Sequence, residues 1–380
     1  MRMKPGIQGG PAMKAAKLCL GITAAMLTIG SQASVSHAQQ TPIQGFAAIH
    51  PIDAHVHVYA ETPALNAFLL RNNLHFIDIA VLDDRDPFYK NFSAQYDGVE
   101  RAIHGTPGHV SLCTTFSPYD FEQPGFADRA IRQLNENFRE GAVAVKIYKT
   151  IGMEIKKKDG AYLMPDDPVF QPIYQDIAAH NRTVIAHLAE PTSCWQPPNP
   201  SSPDFDYYKG HPEEYAYAHP EWPSKQTILA ARDHMLKQNP KLRVVGAHLG
   251  SMEVDVDEIA KHFDQYPNFA VDTAARVQYL TLQPSPKVRK FLIKYQDRVL
   301  YGTDTEIMPD SNVDKVLSDL QDTYALDWKY FATKETFDYK GHKVTGLALP
   351  KPVLRKLYHE NAVHWFPGIL AEPANVNSQR

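Results

Sequence analysis

Two histidines one residue apart, His55 and His57, close the run Ile52-Asp53-Ala54-His55-Val56-His57. In an extended strand residues i and i+2 share a face, so both imidazoles project to the same side. Imidazole is a good ligand for zinc and neighbouring divalent metals. The pair by itself is also what a purely structural strand carries. Three further residues of metal-binding type stand in similar places: His187 ends TVIAH, His248 ends VVGAH and Asp304 ends VLYGTD. Taken singly, each reads as a core histidine or a helix-capping aspartate. Taken together they are buried polar groups at the ends of separate apolar runs. Without partners such groups are costly, and one shared cation satisfies them all. The expected ligands of a divalent ion are therefore drawn from His55, His57, His187, His248 and Asp304. Asp53 reads as an outer partner or strand-end residue. Lys146, near the end of GAVAVKIYKT, reads as a contact for an anionic substrate group or for a carboxylate, with Lys149 as its rival.

Residues scattered over some 250 positions converge only if the chain supplies many strands that end on one side. The strand candidates are Ile52–His57, Phe76–Leu82, Val110–Phe116, Ala142–Tyr148, Thr183–His187, Arg243–His248, Phe269–Thr273 and Arg298–Gly302. Amphipathic stretches lie between them, among them Ala127–Phe138, Gln226–Gln238, Val254–Phe263 and Pro286–Tyr295. Several strands are continuously apolar, which suits parallel strands covered on both faces. Eight strands alternating with helices predict an α/β fold, a (β/α)8 TIM-type barrel with loop insertions at the C-terminal face. Two insertions are expected there: Glu190–Ser224, rich in Pro and aromatics, after the fifth strand, and Thr323–Pro352 after the eighth. Such barrels place their active sites on this face. Glu190 and Arg276 fall near it as candidate substrate contacts, since a guanidinium can clamp a carboxylate with two bonds. An ion pair at the surface is the other reading of Arg276. Trp195, Tyr207, Tyr208, Tyr215 and Tyr217 form either an aromatic lid or a set of anchors that pin the loop.

The net charge of -4 and pI near 6.5 give no electrostatic footprint for nucleic acid or an anionic membrane. Residues 1–38 read as an export signal. Arg2, Lys4, Lys14 and Lys17 precede the short apolar core Leu18–Ile29, and Ser36-His37-Ala38 offers small residues for cleavage before Gln39. The core is too short to span a bilayer comfortably, and Cys19 stands at its start, which argues against a lipoprotein anchor. The expected organisation is a signal peptide, 1–38, and one barrel domain, 39–380, in the periplasm or outside the cell. Cys113 and Cys194 then remain, able to pair or to serve as small core residues. The absence of CxxC spacing excludes a cysteine zinc site.

HxH after strand one, His after strands five and six, and Asp after strand eight resemble the amidohydrolase superfamily, in its amidohydrolase-related (family 2) branch of metal-dependent hydrolases. The resemblance runs from Ile52 to Tyr358-His359-Glu360-Asn361-Ala362, which is similar to the family's closing helix. It implies that His55, His57, His187 and Asp304 make the more buried metal position. It also implies a divalent cofactor, Zn2+ foremost, as one or two ions. In binuclear relatives a carbamylated lysine bridges the metals, a part that would fall to Lys146 with His187 and His248 on the second ion. In mononuclear relatives His248 polarises the substrate instead. The implied reaction is hydrolysis of a C–N or C–O bond (amide, lactone or ester) of a small molecule, with Asp304 as proton acceptor from an acidified water and His248 beside the oxyanion. The same branch implies an alternative, non-oxidative decarboxylation of an aromatic or unsaturated carboxylic acid. The expected partner is that small-molecule substrate, with no nucleic acid and no membrane after signal cleavage; a homo-oligomer is left open.

Overall fold

The computed structural model describes residues 43–370, so the export signal expected in residues 1–38 lies outside them. The strands are β1 (Ile52–Val58), β2 (His75–Ile79), β3 (Val110–Thr115), β4 (Ala144–Ile147), β5 (Thr183–Ala186), β6 (Arg243–Gly246), β7 (Phe269–Asp272), β8 (Val299–Leu300) and β9 (Thr305–Ile307). Runs such as VSLCTT, AVKI and TVIA are rich in β-branched residues and buried throughout, as strands covered on both faces must be. Every pairing among these nine is parallel, in the order β8-β7-β6-β5-β4-β3-β2-β1-β9.

β8 and β9 are two halves of one eighth strand. β8 pairs with β7 through Val271–Val299 and Asp272–Leu300, and β9 pairs with β1 through Val56–Thr305 and His57–Glu306. Backbone bonds continue across the interruption on both sides. Ala54 N–H donates to Tyr301 O at 2.9 Å and Asp304 N–H to His55 O at 2.8 Å, while Ala275 N–H donates to Thr303 O at 3.2 Å. The sheet thus closes on itself into the expected barrel. The interruption has a packing cause, since a Cβ at Gly302 would lie 3.0 Å from His55 Cβ.

A bulge in β1 aims the histidine pair. Ile52 and Ala54 belong to the small aliphatic cluster inside the barrel, with Ile79, Ile185, Val245 and Leu300. Val56 and Val58 belong instead to the cluster between strands and helices. Register slips between Asp53 and Val56, which changes the parity, so that His55 and His57 face the interior above Ala54. Re-aiming a side chain is a common use of a bulge next to a site. The bottom of the barrel is plugged by Trp365, Phe366 and Ile369 of the closing segment.

Several expectations need correction. The strands end earlier than their apolar runs, so His187 and His248 lie just past β5 and β6, and Asp304 lies in the break of the eighth strand. Thr323–Pro352 is not a loop over the mouth. It begins inside the helix Val313–Ala332 and continues into an antiparallel hairpin, β10 (Thr336–Tyr339) and β11 (His342–Thr345). That hairpin packs sideways, with His342 bonded to Thr281 and Thr345 O to Ser285. Cys113 and Cys194 are both free and buried. Among the described residues no helix is long and apolar enough to cross a membrane.

Asp53 fastens the closure. Buried completely, it accepts from Thr303 N–H (3.0 Å), the Thr303 hydroxyl (2.6 Å) and the Tyr324 hydroxyl (2.8 Å), joining β1, the broken strand and the helix Val313–Ala332. Asp53→Ala leaves these donors without an acceptor and is expected to cost about 3 kcal/mol of stability in urea unfolding; an unchanged midpoint would show that closure does not depend on it.

Candidate metal centre

Each ring is fixed by what its Nδ1 touches. His55 Nδ1 is 2.9 Å from Asp272 Oδ2, His57 Nδ1 is 2.8 Å from Ile79 O, and His248 Nδ1 is 2.9 Å from Ala274 O. A carboxylate and two carbonyls can only accept, so all three Nδ1 atoms carry the proton and all three Nε2 atoms present a lone pair. Two of those lone pairs meet a further acceptor: Asp304 Oδ1 lies 3.4 Å from His55 Nε2 and 3.5 Å from His57 Nε2, while the His248 ring presents Nδ1 4.0 Å from Asp304 Oδ2. The His248 ring packs against both neighbours, tilted to His55 and edge-on to His187, with ring centroids 4.8 Å and 4.3 Å away. Ligand atoms of His55, His248 and Asp304 lie within 4.8 Å of one another. His187 Nε2 is buried with no hydrogen-bond partner.

Burial sets the protonation of this group. It lowers the pKa of His55 to about 3, with the nearby Lys146 charge adding to the effect, and it holds His248 and His187 below the usual imidazole value. Burial pushes Asp304 up, but His248, His57 and His55 more than offset this and hold its carboxyl well below the ordinary range. Burial thus favours the neutral form of His55, His187 and His248, while their company favours the ionised form of Asp304. Acceptor facing acceptor, with an orphaned imidazole nitrogen alongside, is the donor chemistry of a divalent-metal site, so the residues present fit one. All five expected ligands meet in this place. The group whose ligand atoms lie within 4.8 Å of one another is His55, His248 and Asp304; the resemblance implied His55, His57, His187 and Asp304 for the more buried position.

The backbone is bent to reach this arrangement. His248 and Asp304 have φ of 59° and 67°, a left-handed conformation that side chains other than Gly adopt rarely. Ala189 and Ala275, past β5 and β7, do the same. Gly246 allows the turn after β6, because a Cβ there would meet Gly250 Cα and Phe269 Cζ at 2.8 Å.

The remaining candidates divide. Lys146 Nζ lies 3.0 Å from His55 Nε2, is 1% exposed, and has its pKa lowered by burial. It stands against the metal group itself, whereas Lys149 is held between Glu190 Oε1 (2.5 Å) and Glu214 Oε2 (2.6 Å) and so is no rival for that place. Glu190 is correspondingly engaged, with Oε2 accepting from the Tyr208 hydroxyl at 3.2 Å. Arg276 is buried, not at the surface. It lies 3.7 Å from Asp204 and its Nε has no partner. A cavity of about 460 Å3 opens over the centre, lined by His57, His187, His248 and Asp304 below and by Lys149 and Arg276 among four tyrosines (Tyr89, Tyr148, Tyr207, Tyr208) above. Of the two insertions only the first contributes to this lining.

The family model described as amidohydrolase matches residues 52–368. The chain belongs to the amidohydrolase family. No curated protein matches it. Among solved structures, this amidohydrolase is similar to an uncharacterised TIM-barrel protein from Bordetella bronchiseptica (14% identity, 84% of this chain and 99% of that one, TM-score 0.49). It is also similar to a 2,6-dihydroxybenzoate decarboxylase from Rhizobium (14%, 83% and 98%, 0.47). A third is a 5-carboxyvanillate decarboxylase from Novosphingobium aromaticivorans complexed with manganese (15%, 86% and 99%, 0.45).

Asp272, at the end of β7, escaped the sequence reading. Its Oδ2 accepts from His55 Nδ1 and its Oδ1 from the backbone N–H of His248 (2.8 Å), so one buried carboxylate orients the His55 ring and anchors the main chain at His248. In Asp272→Asn the amide NH2 faces His55 Nδ1, moves the ring proton to Nε2 and removes the lone pair. Metal retention measured after dialysis is expected to fall 10- to 100-fold, with the barrel still folded; retention equal to wild type would deny Asp272 this part.

Proposed function

We propose that this amidohydrolase uses a divalent ion, Zn2+ foremost, to hydrolyse a C–N or C–O bond (amide, lactone or ester) of a small molecule. The observation that carries the reading is Asp304, an ionised carboxylate in contact with the imidazole lone pairs and yet 30% exposed to the cavity. His55, His248 and Asp304, with His57 and His187 alongside, would hold a divalent ion, which would supply Lewis acidity and acidify a water to a pKa near 7.

The chain's own residues do the rest. Asp304 accepts a proton at its carboxylate and returns it to the leaving group, within hydrogen-bond reach of anything that enters from the cavity. His248, its Nδ1–H fixed on Ala274 O, is left with a lone pair on Nε2 and would serve as a neutral ligand of the ion. Arg276, with an unpartnered Nε, holds an anionic group of the substrate. The tyrosines flanking it exclude water and favour a planar body.

A second reading has its own support. Arg276 among tyrosines over a cation is a site for an aromatic or unsaturated carboxylate, and such an acid can lose CO2 without oxidation. Lys146 separates the two. Its amine, whose pKa burial lowers, loses its acceptor when His55 Nε2 takes a cation. Uptake of CO2 as a carbamate would make it an anionic ligand and favour a binuclear hydrolase.

Two results are expected. Metal-loaded protein releases acid from a panel of aryl esters, lactones and amides and releases no CO2 from aromatic acids; CO2 release without hydrolysis would overturn the hydrolytic reading. Asp304→Asn lowers kcat at least 100-fold in protein whose metal content is measured alongside; full activity in that variant would remove Asp304 from the reaction.

A further inference from the structure

Beside the catalytic cavity lies a second one, of about 370 Å3, built wholly from the first insertion. Its walls are prolines and aromatic rings: Pro197, Pro198 and Pro212 with Phe205, Tyr208 and Tyr215. The one charged lining residue, Lys209, is exposed.

The partition between the two cavities is the short helix Phe205–Gly210 and the residues leading into it. Pro203, Asp204 and Tyr207 line the catalytic cavity, whereas Ser202, Phe205 and Lys209 line the second. Tyr208 lines both. Its hydroxyl donates to Glu190 Oε2, and Glu190 Oε1 lies 3.7 Å from His187 Nε2, so the polar end of this tyrosine belongs to the metal side. Its ring stacks on Tyr215, with centroids 5.2 Å apart and planes inclined by 20°. Aromatics that merely pinned a loop would fill the space they enclose, as protein interiors do. These instead leave a cavity of about 370 Å3 whose rings and prolines stand beside polar Gln196, Asn199 and Ser202, with Tyr208 between it and Glu190.

We infer that the second cavity is a subsite for an uncharged planar aromatic ring, the distal part of a substrate whose reacting group lies over the metal centre. Tyr208 is the gate between the two parts. The substrate class is therefore bipartite: a hydrolysable or carboxyl-bearing end, and an aryl end with no formal charge, since no buried countercharge awaits one. The inference rests on the first cavity being the active site and not on which bond is cleaved there. Lys209 stays at the rim and leaves the ring-binding surface neutral. Stacking on Phe205, Tyr208 and Tyr215 supplies the attraction.

The test uses purified, metal-loaded, full-length protein and 2-naphthol as probe, with tryptophan fluorescence as the readout, because Trp195 adjoins Gln196 in the wall of the cavity. Saturable quenching is expected. Pro198→Asp, which places a charge in the cavity from an exposed loop position, and Phe205→Trp, which fills it, are each expected to weaken binding at least tenfold while metal content stays at the wild-type value. Binding of equal strength in both variants, or quenching that never saturates, would overturn the subsite. If ester hydrolysis is found, a 2-naphthyl ester should show a KM at least tenfold below that of the methyl ester, with the advantage lost in Pro198→Asp. Naphthol binding that persists without turnover of any ester, lactone or amide defeats the hydrolytic reading and leaves the subsite standing.

Discussion

Several lone pairs crowded together, with the Lys146 amine as the one donor shown among them, govern this structure. His55 and His57 turn Nε2 toward an ionised Asp304, His248 joins them, and the outer nitrogen of each of these three rings is already bonded to an oxygen that can only accept. In a buried place such an assembly repels itself. A cation reverses the sign of every one of these contacts, which is why the arrangement is intelligible as a metal centre and as little else.

Much of the barrel rim can be understood as the means of holding those atoms in place. The bulge in β1 exchanges inward and outward positions just before the histidine pair, so an apolar floor and a polar site share one strand. The eighth strand breaks at Tyr301 to Asp304, and Gly302 lets the break lie against His55. Ala189, His248, Ala275 and Asp304 all take left-handed backbone after successive strands, at a cost of order 1 kcal/mol or more each. These four lie at the end of the barrel where the chemistry sits, although His50, Asn73 and Asn181, which precede strands, are left-handed as well. Asp53 and Asp272 hold the arrangement together, one fastening the seam of the barrel and the other orienting the His55 imidazole and anchoring the backbone of His248.

The fold and the ligand types were legible because both are periodic or positional. Continuous apolar runs mark parallel strands, and a polar residue closing such a run marks the rim. The same signal was present in FAVD and was passed over, so Asp272 went unread although its pattern matches TVIAH. Other features were not legible. The exchange of inward and outward positions in β1 depends on a register slip that no local pattern announces. The pairing of Lys149 with Glu214 joins residues 65 apart in sequence, and only the path of the insertion brings them together. The stretch after Thr323 looked like a loop because aromatic and charged residues alternate irregularly there; packing of one helical face against the barrel decided it instead. The void beside Tyr208 is a property of three-dimensional packing that composition cannot report.

The most direct test is anomalous diffraction from crystals of the metal-loaded protein. One peak is expected about 2.0–2.2 Å from His55 Nε2, from Asp304 and from at least one further imidazole. A crystal grown with excess zinc or manganese that shows no peak there, and keeps Lys146 Nζ bonded to His55 Nε2, would contradict the account.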